Sequence, residues 1–422
     1  MSSQTHKLSL PAAIFIAINI ILGTGTFINT VVLAQKIGSL GPLLYLFAGL
    51  LMFPLVLCIA RLSAMHTEGN FLTFGALLNP YWGFINIWIY AIAKLGSASL
   101  SIHVFNTFLQ HIFPSLTAIP TLYLDLFIVM LFVILNTFNV RTGSRIQYGF
   151  VFMKMVPLST AIFLGLYAFD KINIGTPHQI WSGFPLSIPI ALFCCLGFEA
   201  ICSLASVIEN SQKNTPRAIM ISFAAVVTIA ATYQFLFYAA LGSTLAAQTN
   251  YTGAFPALLM HIFPGVSTWF GSFISVAIAT SALGGAYGIM YTNLWNYYSL
   301  AQQFNNRFSL PFTFLNKHKI PVLCVIAEGV IATVYLTSSG GAQIPLQYTS
   351  VLGCIITYTI CVLGYFNVTR SLLGILGFMT CLLLLATSFY GFIQTSMIPL
   401  IIFAVISIVG SLLYYLKEKK II

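Results

Sequence analysis

The chain has 422 residues, of which 59% are apolar and only 6% charged, where an ordinary soluble domain carries about 25% charged residues. Seven acids and seventeen bases cannot clothe a globule of this length, so a soluble protein is excluded and most of the exterior faces hydrocarbon. The formal charge of +10 comes from bases scattered between apolar runs rather than gathered into a patch, which argues against nucleic acid and for orientation in a bilayer. Taken in chain order with a ruler of about 20 apolar residues, the sequence predicts twelve spans, at about 11–34, 41–62, 82–110, 120–139, 146–168, 185–208, 217–243, 267–298, 321–337, 344–366, 371–391 and 396–416. The first is too long for a signal-peptide core and has no small-residue cleavage site, so it is expected to stay as a spanning helix. Polar segments punctuate the spans: HTEGN at 66–70, RTGSR at 141–145, ENSQKNTPR at 209–217 and NNRFSLPFTFLNKHK at 305–319.

The bases fix an orientation. With the N-terminus inside, Lys7, Arg61, Arg141, Arg145, Lys213, Arg217, Arg307, Lys317, Lys319, Arg370, Lys417, Lys419 and Lys420 fall on the cytoplasmic side, and only Lys36 and Lys171 outside. Adding or losing one span would flip every later loop, so this asymmetry supports twelve spans with both termini cytoplasmic. The eight cysteines sit inside apolar runs rather than at framework spacings, which favours buried thiols over disulfides or a zinc site.

Two spans contain residues that an unbroken helix disfavours. Gly23, Thr24, Gly25 and Thr26 lie in the middle of the first run, and each glycine costs about 1 kcal/mol against alanine in a helix interior. In the sixth, Pro185 and Pro189 precede Cys194, Cys195, Leu196, Gly197, Phe198 and Glu199, which brings a glycine and a carboxylate to membrane depth. Breaks in the first and sixth of twelve spans occupy corresponding positions in two five-helix halves, the pattern of an inverted-repeat carrier. A break frees amide and carbonyl groups where water is scarce. Half-helix N-termini suit a carboxylate and half-helix C-termini an ammonium, so a zwitterionic amino acid suits both. Close packing through small residues explains the glycine spacing as well, and an internally bonded kink explains Gly197 and Glu199; on the residues alone these readings stay open.

The segments IILGTGTF (20–27), IGSLGPLLYLFAGLLMF (37–53) and CCLGFEAICSLASVIENSQKNTPRAI (194–219) resemble the first, second and sixth helices of the amino acid, polyamine and organocation permeases. That resemblance implies a single all-α membrane domain over 1–422 with the LeuT-like 5+5 inverted repeat. Its halves would be about 11–168 and 185–366, with helices 1 and 6 broken and two further C-terminal helices over about 371–416. It also implies a secondary active amino-acid transporter of the bacterial inner (plasma) membrane, proton-coupled, or alternatively an amino-acid/amine or amino-acid/amino-acid exchanger. Its substrate is an amino acid or related amine, its coupling ion the proton. Carried over residue by residue, it implies that Thr24, Gly25 and Thr26 contact the substrate carboxylate, that carbonyls around Ile190 to Phe193 receive its amino group, that Ile21, Gly23, Gly197 and Glu199 also belong to the substrate site, and that Phe193 is an aromatic lid. Glu199 becomes a gating or proton-sensitive carboxylate. The second helix departs from the family: Arg61 stands where a glutamate is usual, so Glu68 is expected to supply that charge.

An ionisable group at bilayer depth costs about 2.5–3.5 kcal/mol on insertion scales, which makes each one a functional candidate. Lys154 in FVFMKMVPL lies well inside the fifth span, where Pro157 frees the Met153 carbonyl. Its ammonium can donate to freed carbonyls of the broken first helix. The resemblance points to the same residue, since proton-coupled members carry a lysine there in place of a sodium site; snorkelling to the cytoplasmic side is the competing reading. Lys94, in IWIYAIAKLGSAS, is a candidate for side-chain selectivity or for pairing with Glu199 or another buried acid. Glu328 reads as a structural pair or a lipid-edge position rather than a transport residue, and Asp125 and Asp170 as interfacial. Trp88, Tyr90, Phe198 and Trp295 are candidate gates, although aromatics in spans are more often packing residues. TSALGGAYG at 280–288 suits close approach of the eighth helix to the first, with Thr280 or Ser281 near Lys154. No HExxH motif and no Walker lysine occur, so neither a zincin nor an ATP-driven pump is expected, and no metal or cofactor is assigned. A multi-span enzyme lacks a nucleophile with its base, and a channel lacks the repeated elements of a filter.

Overall fold

The computed structural model describes residues 7–66, 69–138, 140–175, 181–205, 208–264, 267–304 and 309–419. Glu68, Arg307 and Lys420 lie outside these described residues. The apolar runs are helical, and the polar segments end or start them. In chain order the helices are α1 (Leu10–Ile21), α2 (Gly25–Ile37), α3 (Gly41–Met65), α4 (Phe71–Ala76), α5 (Pro80–Ile112), α6 (Thr121–Leu135), α7 (Val140–Tyr167), α8 (Lys171–Gly175), α9 (Phe184–Cys195) and α10 (Ala200–Ser203). Then follow α11 (Ser211–Leu241), α12 (Ser243–Ala246), α13 (Ala254–Ile262), α14 (Ser267–Phe304), α15 (Leu310–Thr313), α16 (Val322–Ser339), α17 (Gln343–Thr369), α18 (Leu372–Gln394) and α19 (Ile398–Glu418). Local chemistry sets several starts. Asn70 Oδ1 caps the Leu72 and Thr73 amides, and Asn79 caps Trp82 just ahead of Pro80, a residue suited to the first helical turn.

Among the described residues nine helices are long and apolar enough to cross a membrane when Trp181–Ser203, which holds α9 and α10, is taken as one, and ten when α1 and α2 count as one bent span. Two shorter apolar helices, Thr121–Leu135 and Phe152–Tyr167, cover the expected fourth and fifth positions. Side chains such as Leu50, Phe152, Phe163, Tyr167 and Leu372 are exposed, which only a lipid exterior tolerates at this density. The chain is a multi-pass integral membrane protein.

α5 is the axis of the packing. Its apolar window is almost wholly buried, and it lies against α14, α17 and α16. α3 packs on α11, and α7 on α14. α18 and α19 lie outside this group and are the least buried spans.

Both expected interruptions are present. α1 ends at Ile21 and α2 begins at Gly25, with a bend of 42° between them. At the break the Gly23 amide turns back to the Ile21 carbonyl at 2.6 Å, so it no longer serves Asn19, four residues before it. The helix restarts when Phe27 and Ile28 donate to the Thr24 carbonyl. In the second interruption α9 stops at Cys195, Leu196 is extended, and Gly197 has φ 122°, a conformation that residues with a Cβ rarely adopt. Helix resumes when Ala200 donates to the Gly197 carbonyl.

Candidate functional site

The two breaks touch. A Cβ on Gly25 would lie 2.8 Å from Cys194 Sγ and 2.9 Å from Phe193 Cδ1, and one on Gly197 would lie 3.1 Å from Ile20 Cγ2 and 3.2 Å from the Ile21 backbone. Glycine at both positions is what lets the interrupted helices meet face to face. Gly285 of α14 closes the third side, the Cβ it lacks falling 3.6 Å from Gly23 Cα. The small-residue run of the eighth span therefore does approach the first.

Between the breaks lies a small cavity of about 20 Å³, room for about one water. Ile20, Ile21, Gly23, Thr24 and Gly25 form one wall, Phe193 and Leu196 a second, Lys94, Ser97 and Ser101 of α5 a third, and Gly285 with Ile289 a fourth. Of the residues singled out from sequence, the structure thus gathers Ile21, Gly23, Thr24, Gly25, Phe193 and Lys94 around one space. Thr26 is buried beside them. The Thr24 hydroxyl pairs with Ser101, and Ser97 with Ser350 of α17.

Glu199 is completely buried and fully engaged. Its Oε1 accepts from Lys94 Nζ at 3.1 Å and from the Tyr90 hydroxyl at 3.2 Å, while Oε2 accepts the Gly197 amide at 2.8 Å. The carboxylate therefore stitches the second break to α5. Tyr90 is itself fixed by stacking on Phe71, 4.2 Å between ring centres.

Lys154 is buried, and its Nζ donates to the Asn19 carbonyl at 2.5 Å. That carbonyl is the one released when the Gly23 amide turns back, so an ammonium from α7 replaces a lost helical hydrogen bond of α1. Snorkelling is not what this side chain does.

Other candidates lie elsewhere. Phe198 packs on Phe223 and Tyr358, Trp295 packs on Tyr298 and a small apolar cluster with Leu294, and neither lines the cavity. Trp88 donates to the Ile406 carbonyl of α19. The Ile190 carbonyl accepts the Asn29 amide at 2.7 Å. Thr280 bonds back to Val276. Arg61 donates to the Tyr365 hydroxyl. Asp125, expected at a wet interface, is instead buried against His103 Nδ1 and Asn106, each at 2.7 Å. The eight cysteines are all buried and unbonded to one another.

Asn29 was not foreseen. Buried in α2, it donates to Ile190 of α9 and accepts from Gln347 of α17 at 2.8 Å. An uncharged amide in an apolar span gives a weaker signal than a lysine, yet it is the kind of residue that holds membrane helices together.

A family model described as an amino acid permease matches residues 8–421. The DL-alanine permease SerP2 of Lactococcus lactis is 23% identical over 345 residues, 75% of this chain and 71% of that protein. The aromatic amino acid transport protein AroP of Salmonella typhimurium is 23% identical over 366 residues, 78% of this chain and 75% of that protein. A D-serine/D-alanine/glycine transporter of Escherichia coli is 24% identical over 226 residues, 48% of this chain and 47% of that protein. These relatives are permeases and transporters rather than enzymes.

Proposed function

The chain belongs to the amino acid permease family, and on that premise we propose that it is a secondary active amino-acid transporter working by alternating access at the cavity between the two breaks. The observation that carries the proposal is the contact of the breaks themselves, Gly25 against Phe193 and Cys194, and Gly197 against Ile20 and Ile21. The first amides of α2, from Gly25 and Thr26, have no intrahelical acceptor and present a partial positive charge to the substrate carboxylate. The last carbonyls of α9, around Phe193, face the other way along the chain and take the substrate ammonium. Ile21, Gly23 and Thr24 complete the carboxylate side, with Gly197 and Glu199 behind the amine side.

The architecture proposed with this function has twelve spans, counting α1 with α2 as the first, α9 with α10 as the sixth, and α6 and α7 as the fourth and fifth. The inverted repeats then cover about 11–168 and 185–366, both termini face the cytoplasm, and the membrane is a bacterial inner one. A cavity of about 20 Å³ is too small for an amino acid, so loading requires the walls to separate; Phe193, the cavity's aromatic side chain, moves first, and Phe198 and Trp295 are assigned to the surrounding gates. Coupling to protons runs through Lys154, whose hydrogen bond to Asn19 ties its protonation to the shape of the first break, with Glu199 answering at the second.

Counterflow in proteoliposomes tests the function. Exchange of a labelled amino acid without ATP, saturable in substrate, is the expected result; chemical conversion of the amino acid or flux that never saturates overturns it. An obligate exchanger remains the second reading, because the neutral Lys94–Glu199 pair needs no coupling ion to reset; uptake driven by a pH gradient into vesicles without internal amino acid separates the two.

A further inference from the structure

Lys94 is the one charged residue of the cavity wall among the described residues. An ammonium has three N–H donors, and here a single protein oxygen, Glu199 Oε1, takes one of them. The side chain is 5% exposed, so bulk water does not serve the other two. Glu199 has its oxygens filled by Lys94, Tyr90 and the Gly197 amide, and it stands behind Lys94 rather than in the cavity wall. The neighbouring hydroxyls have their protons committed elsewhere. Ser350 donates to the Ala93 carbonyl, which leaves Ser97 to donate to Ser350, and Ser101 pairs with Thr24. The centre of the Tyr90 ring lies 5.8 Å from Nζ and offers a π face but no hydrogen-bond acceptor, so an occupant meets two ammonium donors without an acceptor, held in place by a carboxylate it does not touch. In the state with Lys154 protonated, the formal charges around the two breaks are Lys94 and Lys154 against Glu199, an excess of one positive charge.

Resting on the transporter reading above, we infer that the substrate class is the acidic amino acids, with the side-chain carboxylate of the substrate accepting from Lys94 while its α-carboxylate and ammonium use the two breaks. A carboxylate makes charge-assisted hydrogen bonds to an ammonium and offsets the formal excess. An aliphatic side chain leaves buried donors unpaired, which is how a site built to hydrogen-bond rejects analogues. A cationic side chain meets like charge at short range where screening is weak. The relatives are named for alanine, aromatic amino acids, serine and glycine, so this sets the chain apart from them.

The test is a counterflow panel of the twenty amino acids with the full-length chain in proteoliposomes, read first on aspartate, glutamate, alanine and lysine. Aspartate or glutamate is expected to exceed alanine by about tenfold or more, the size of a hydrogen bond to a charged group, with lysine at background. Lys94→Arg is expected to keep the acidic preference, and the charge-free double variant Lys94→Met/Glu199→Gln to lose it. Alanine or lysine counterflow equal to that of the acidic amino acids overturns the inference and leaves the transporter reading standing. Absence of counterflow for every amino acid removes both.

Discussion

Gly25 and Phe193 meet across the two helix breaks, with the Cβ that Gly25 lacks falling 2.9 Å from the phenyl Cδ1 and 2.8 Å from Cys194 Sγ. A methyl group there has to push Phe193 aside or part the helices. Overpacking of this kind costs about 1–3 kcal/mol, and on this geometry the cost falls on the closed arrangement of the site. Gly25→Ala is therefore expected to lower the thermal unfolding midpoint in detergent and to reduce counterflow well beyond what reduced expression accounts for. Counterflow at the wild-type level in that variant would show that the two breaks need not touch during transport.

The pair formed by Lys94 and Glu199 makes a separate prediction about stability. Both side chains are buried, 5% and 0% exposed, and removing one partner of such a pair leaves a charge without compensation, at about 3–5 kcal/mol. Lys94→Met and Glu199→Gln are each expected to lower the unfolding midpoint. The double variant is expected to recover most of that loss, since replacing a whole buried pair is often close to neutral. Unfolding curves of the four proteins form a double-mutant cycle, and strict additivity would mean that the two residues do not support each other.

Much of this was legible in the sequence because hydrocarbon imposes a coarse code. A span must be apolar for about 20 residues, so Gly23, Thr24 and Gly25, or Gly197 beside Glu199, are conspicuous against their surroundings, and both breaks are where the glycines lie. Lys154 was legible for the same reason, as a charge at depth. Pairings over long distances were legible only as alternatives. Lys94 and Glu199 are 105 residues apart, and nothing in either segment states which of several buried acids the lysine meets. The boundary between wet and buried was also misread: Asp125 lies near a helix end, yet Asn106 and His103 one helix away draw it inward. Aromatic residues carry the least positional information, because packing and gating use the same rings; Phe198 and Trp295 lie off the cavity wall while Phe193 is on it.

The contact from Lys154 Nζ to the Asn19 carbonyl links a titratable group to the first break. Lys154→Ala removes both the proposed proton carrier and the donor that replaces a helical hydrogen bond. It is expected to abolish uptake driven by a pH gradient while some exchange of labelled for unlabelled amino acid persists, since exchange needs only the loaded carrier to reorient. Unaltered pH-driven uptake in this variant would take Lys154 out of the coupling mechanism.

Glu328 presents the opposite case from Glu199. It is completely buried in α16, and its carboxyl faces the side chain of Asn293 on α14 without a hydrogen bond of good geometry to either oxygen. The Tyr297 and Tyr335 hydroxyls likewise lack partners among the described residues. A carboxyl that accepts no hydrogen bond contributes little to holding its surroundings together, and an amide of the same shape avoids the risk of burying a charge. Glu328→Gln is therefore expected to leave the unfolding midpoint unchanged or to raise it, in contrast to Glu199→Gln, which lowers it. The comparison is made on the two variants side by side in the same detergent. A loss at Glu328→Gln as large as that at Glu199→Gln would mean that the carboxyl at 328 has a partner of its own, and that α14 and α16 are joined there by more than apolar packing.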